Sequence, residues 1–112
     1  MPLDPRTPVL VGGGQHTRQL DSPAGAPEPA DMLVDALRVA AADTGAPDPG
    51  GLLRAADSVR VVELVSWHYA NLPGLVAERL GASPRQLLRS TTGGNSPQML
   101  VNDAARRIQA GE

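Results

Sequence analysis

The residues best placed to do chemistry are Ser90-Thr91-Thr92-Gly93-Gly94-Asn95-Ser96-Pro97, a glycine turn that leads into a helical pattern over Gln98 to Gln109. Gly93 and Gly94 allow close approach to the backbone. A helix opening just after them would present unpaired N–H groups and a positive dipole end, which stabilise an oxyanion, a carbonyl or a phosphate. The plainer reading is structural, with Ser96 capping the helix and Pro97 at its first position.

Three further groups compete for attention. Gly12-Gly13-Gly14-Gln15-His16-Thr17 follows an apolar run and carries part of a dinucleotide fingerprint. Thr17 stands where the third glycine belongs, however, and no helix pattern opens there to hold a pyrophosphate. His16 and His68 invite a metal or acid/base pair but sit in different loops, and structural histidines fit better. Trp67-His68-Tyr69 follows a strand pattern, at the end where open α/β sheets place ligands. His68 is therefore kept as a substrate-binding candidate beside an aromatic plug or subunit contact.

Composition excludes several functions. With 112 residues, the chain fits one small domain. All 10 Lys and Arg positions are Arg, so no lysine can serve a P-loop or a Schiff base. There is no cysteine, hence no disulfide, zinc-thiolate site or thiol nucleophile. A net charge of -2 gives no basic surface for nucleic acid. No apolar run is long enough to span a membrane, and Met1 to Arg6 reads as neither signal nor transit peptide. The expected partners are small molecules or protein, the expected cofactor is none, no metal site is expected, and the expected location is the cytoplasm.

The elements that must position the turn follow from periodicity. Pro8-Val9-Leu10-Val11 predicts a short buried strand stopped by glycines. Residues 15–29 form a long polar, proline-bearing loop. Ala30 to Thr44 predicts a helix, with Leu33, Leu37 and Ala41 on one stripe and Gly45 at its end. A helical turn is expected over Leu52 to Ala56. Ser58 to Val65 is a β-branched run with apolar residues on both faces, as in a parallel sheet. A helix over Leu72 to Leu80, a strand over Gln86 to Ser90 and the final helix complete a βαβαβα order. Crossovers of one hand would put all helices on one sheet face, leaving the other for more chain or another subunit to cover.

With these elements in place, the chain resembles the N-terminal half of a thiolase-superfamily domain, and more closely the actinobacterial thiolase-like proteins named as acetyl-CoA acetyltransferases. The resemblance runs through Thr7-Pro8-Val9-Leu10-Val11-Gly12, Asp31 to Gly45, Ser58 to Val65, Thr91 to Gln98 and Ala104 to Gly111. It implies a layered α/β assembly of two similar halves, of which residues 1–112 would be the N-terminal portion, with the C-terminal half and its catalytic histidine and second cysteine absent. It also implies coenzyme A thioesters as substrates, a role in lipid metabolism, and a homodimer or a complementing thiolase-like chain as partner. In thiolases a reactive cysteine opens the helix that matches Gln98 to Gln109. Spacing from Ile108 puts that slot at Gly94, or at Gly93 or Asn95 with a slip of one residue, and Ser96 as a substitute nucleophile would need a general base that the turn does not show, so covalent thiolysis is not expected of this chain. The expected substrate-binding set is thus Gly93, Gly94, Asn95, Ser96 and His68. Besides an acyl-CoA-binding portion of such a protein, a non-catalytic thiolase-like subunit and a stand-alone small-ligand-binding α/β module remain as alternatives.

Overall fold

The computed structural model describes residues 3–17 and 24–112. Its elements are α1 (Pro29–Asp43), α2 (Pro49–Arg54), β1 (Ser58–Val61), α3 (Leu72–Leu80), β2 (Gln86–Arg89) and α4 (Ser96–Gln109). The class is α/β, and β1 and β2 pair in parallel from Ser58 opposite Gln86 to Val61 opposite Arg89. The sheet is small and incomplete, as the sequence led us to expect.

Each helix has local reasons for its limits. Pro29 opens α1, Asp31 lies in its first turn, and Gly45 beyond its end takes a φ of 73°. The stripe that α1 buries is Ala30, Val34 and Ala41, with Leu33 and Leu37 packed against the core beside it. Val34, not marked by the sequence reading, is buried, while Val39 is exposed. α3 begins where the Asn71 side chain accepts from Gly74 N–H at 3.2 Å. It ends in a left-handed Gly81, where Ala82 N–H returns to the Ala77 carbonyl.

The core lies on one face of the sheet. Val59 and Val61 meet Val34 of α1 and Leu72, Val76, Ala77 and Leu80 of α3. Strand alternation turns Ser58 and Arg60 to the opposite face. There α4 packs on β1 and on no other element described. The expectation that every helix would share one face is therefore corrected. Arg60, on that second face, pairs with Asp103 of α4 and draws the helix there.

Two strand expectations change as well. Pro8–Val11 joins no sheet among the described residues, and Val9, Leu10 and Val11 are 68%, 91% and 63% exposed. The glycines after it explain why. Gly13 N–H donates to Asp43 Oδ2 at 3.0 Å, and a Cβ on Gly14 would lie 2.6 Å from the Ala40 nitrogen. The chain is thus held against the C-terminal half of α1, and the apolar residues before it stay outside. β1, expected through Val65, stops at Val61, whose carbonyl takes the last cross-strand bond from Ser90 N–H. Of the loop expected over 15–29, residues 18–23 lie outside the described residues.

Leu72 and Val76 are the large side chains enclosed most fully. Leu72→Ala is expected to cost about 2–5 kcal/mol, seen as a lower urea midpoint at unchanged slope. Leu87→Ala, at a residue 42% exposed, should leave that midpoint nearly in place.

Candidate functional site

The turn grows out of the end of the sheet. Ser90 N–H closes the last rung on Val61, and the chain then bends through residues 91–95 into α4. Ser96 is 3% exposed, its N–H donates to the Gly93 carbonyl at 3.1 Å, and its Oγ donates to the Thr91 carbonyl at 2.8 Å. Ser96 is therefore the first residue of α4 and the bolt of the turn, and not the cap expected from sequence. The cap position belongs to Asn95, which makes no capping bond and instead points Nδ2 at Met99 Sδ, 3.4 Å away. With its proton committed to Thr91 and no base in contact, Ser96 Oγ is not arranged as a nucleophile.

Gly93 and Gly94 differ in what surrounds them. A Cβ on Gly93 would press on Asn95 Oδ1 and Ser96 Oγ at 3.1 and 3.3 Å, whereas one on Gly94 would meet no atom within 4 Å. Neither glycine has a positive φ. What Gly94 supplies is open approach, since its backbone conformation is available to any residue. Ser96 N–H is spent on Gly93 and Pro97 has none, so Gly94, Asn95 and Gln98 keep backbone donors with no acceptor among the described residues. Below the turn, a groove of about 440 Å³ runs between β2 and α4, lined by Leu88, Thr91, Ser96, Met99 and Asp103 among others. Donors at the positive end of a helix above a partly apolar groove suit a carbonyl with an attached chain.

The position of α4 rests on charge. Arg60, with a side chain 11% exposed, donates to Asp103 Oδ2 at 2.5 Å and to Gln86 Oε1 at 2.6 Å. Arg107 Nε reaches the same Asp103 oxygen at 3.1 Å. The hydrogen bond from Arg60, with Arg107 adding to it, holds the Asp103 carboxyl below the usual range, against partial desolvation. Arg60 was visible in the sequence as an interruption of an apolar strand. Its partner on α4, forty-odd residues later, carried no signal.

The aromatic loop after β1 proves to be a buttress. Tyr69 Oη accepts from Ala30 N–H at 3.1 Å, satisfying a donor at the start of α1, and Trp67 stacks on Tyr69 with centroids 6.3 Å apart. Arg89 donates to the Tyr69 carbonyl at 2.8 Å and pairs with Glu63, so β2 clasps the loop. His68 is exposed on it, at the same C-terminal end of the parallel strands as the turn, but no hydrogen bond or ion pair joins it to Gly93–Ser96 among the described residues. His16 lies instead against α1, with Nε2 3.7 Å from Asp35 Oδ2. No group of three metal-binding side chains occurs among the described residues. Gly12 and Gly14 rest on the flank of α1 near its C-terminal end, the wrong end to hold a pyrophosphate.

No family model matches the chain, and no curated protein does. Among solved structures it is similar to a monomeric SCP2-thiolase like protein type 1 from Mycobacterium smegmatis, at a TM-score of 0.82 and 34% identity. The fold is thiolase-like. The match takes in 98% of this chain and 22% of that one, so the chain spans about a fifth of its thiolase-like neighbour.

The depressed Asp103 carboxyl gives a pH dependence with a definite sign. A carboxylate more acidic when folded contributes its full stabilisation above its unfolded value, about 4, and loses it as pH falls through the folded value. α4 should therefore loosen from β1 below about pH 4, read as faster amide exchange along Leu100 to Arg107 while Val76 and Ala77 stay protected. Asp103→Asn should show fast exchange in α4 already at neutral pH.

Proposed function

We propose that this chain is the N-terminal portion of a thiolase-like acyl-CoA-binding protein of the acetyl-CoA acetyltransferase type, in which the Gly93–Ser96 turn receives the thioester carbonyl. The observation that carries the reading is the open face of Gly94 at the start of α4, with unpaired donors from Gly94, Asn95 and Gln98 gathered there. The likeness to a thiolase-like structure supports it. Hydrogen bonds from these amides would polarise the carbonyl and ease enolate formation or C–C bond making at the neighbouring carbon. No acyl-enzyme is part of the proposal, because the chain has no cysteine. Catalytic groups beyond the turn would come from further thiolase-like structure, in the same polypeptide, a second copy or a complementing chain. We place the protein in the cytoplasm on the same reading.

The missing cysteine also favours a second reading, a non-catalytic thiolase-like subunit that holds acyl-CoA or a partner without turning it over. The stand-alone ligand module is less favoured, because a two-stranded sheet is marginal by itself.

Gly94→Val tests the site directly. Since a Cβ there meets nothing and φ is not left-handed, the fold should be undisturbed and the melting temperature unchanged. Affinity for acetyl-CoA should fall at least about tenfold in calorimetric titration, as a branched side chain closes the approach worth roughly one such hydrogen bond. Equal affinity in the two proteins would remove the turn from the binding site.

A further inference from the structure

The groove below the turn exists because α4 packs on β1 and leaves β2 uncovered on that face. Leu88 stands beside Arg60 in the ladder, so alternation turns it to the side of the sheet that α4 occupies. Along its length the groove changes character. Next to the turn its walls are Leu88, Thr91, Met99 and Leu100, and farther along α4 they are Asn102, Asp103 and Arg106. At the near end Asn95 Nδ2 reaches Met99 Sδ at 3.4 Å, which keeps an adaptable thioether beside the turn. The far end is not free to move aside. Asp103 is bound by Arg60 and Arg107, and Arg106 Nη2 stands 3.8 Å from its other oxygen. A methylene pressed against these groups would strip water from charges already committed to one another, at a cost above what its own burial returns.

These two ends define a length. From Ser96 to Asn102 the helix rises about 9 Å, at roughly 1.5 Å per residue. An extended hydrocarbon advances about 1.25 Å per carbon, from bonds near 1.5 Å at an angle of about 111°. The apolar part of the groove therefore fits an acyl group of about six carbons and no more. Resting on the reading that the turn receives a thioester carbonyl, we propose that this groove takes the acyl chain and sets its length. The substrates are then straight-chain acyl thioesters of up to about six carbons, with the Arg60–Asp103 pair as the far wall. Met99, 58% exposed, is the wall that the chain would cover. The ion pair that places α4 thus also limits what the groove beside it can accept.

Calorimetric titration of the chain with acetyl-, hexanoyl- and decanoyl-CoA tests this. Hexanoyl-CoA should bind at least about tenfold tighter than acetyl-CoA, since each buried methylene adds up to about fourfold, and decanoyl-CoA should bind no tighter than hexanoyl-CoA. Met99→Ala, at a residue too exposed to hold the fold, should cut the preference for hexanoyl over acetyl at least about threefold. Nuclear Overhauser contacts from the terminal methyl of bound hexanoyl-CoA to the Leu88 and Leu100 methyls are expected. Affinity that is independent of chain length, or that keeps rising to decanoyl-CoA, would overturn the proposal. Backbone shifts separate the two ways of failing. If the Gly94, Asn95 and Gln98 amides still move, the turn holds the carbonyl and the chain lies elsewhere; if no thioester moves them, the reading of the turn fails and takes the groove with it.

Discussion

The Arg60 guanidinium, nearly enclosed on the second face of a two-stranded sheet, is the constraint on which the candidate site depends. It cannot lose its charge, so the face it occupies must supply carboxylate and carbonyl oxygens. Gln86 from the neighbouring strand and Asp103 from α4 meet that need. Because α4 packs on no other described element, this ion pair sets the height and direction of the helix, and the helix sets where the Gly93–Ser96 turn opens. An electrostatic demand in the sheet thus fixes where the turn stands at its end. The apolar residues of α4 contribute little to this docking: Met99 and Val101 are both 58% exposed.

The first face works by a different physics. There, small aliphatic side chains from α1, α3 and β1 pack without a single fully buried aromatic, and at the margin Arg79 ties α3 to Glu28, just before α1, and to Asp31 within it. The aromatic loop joins the two systems. Tyr69 finishes the start of α1 through its hydroxyl and is held from β2 by Arg89 through its carbonyl. A change in the loop would therefore be felt both in the core and at the strand from which the turn departs.

Much of this was legible in the sequence where local chemistry decides. Gly45 and Gly81 end helices because glycine relaxes in a left-handed conformation, Pro29 and Pro73 sit in first turns, and the limits of α3 match the reading residue for residue. What failed depended on partners remote in sequence. Pro8–Val11 has strand chemistry, but the contacts of Gly12–Gly14 with α1 decide where it lies. The side of the sheet taken by α4 was misjudged because Asp103 cannot be assigned to Arg60 from spacing. Ser96 looked like a cap because serine before proline usually is one, yet the bend at residues 91–95 brought the Thr91 carbonyl within its reach.

The central claim is that the turn at the start of α4 is where an acyl thioester binds. Backbone amide shifts followed during titration of the chain with acetyl-CoA test it most directly. The amides of Gly94, Asn95 and Gln98 should move first and farthest, with smaller changes at Leu88 and Met99 along the groove and none at Gly45 or Ala82. Shifts confined to other surfaces, or a saturating titration that leaves those three amides in place, would contradict it.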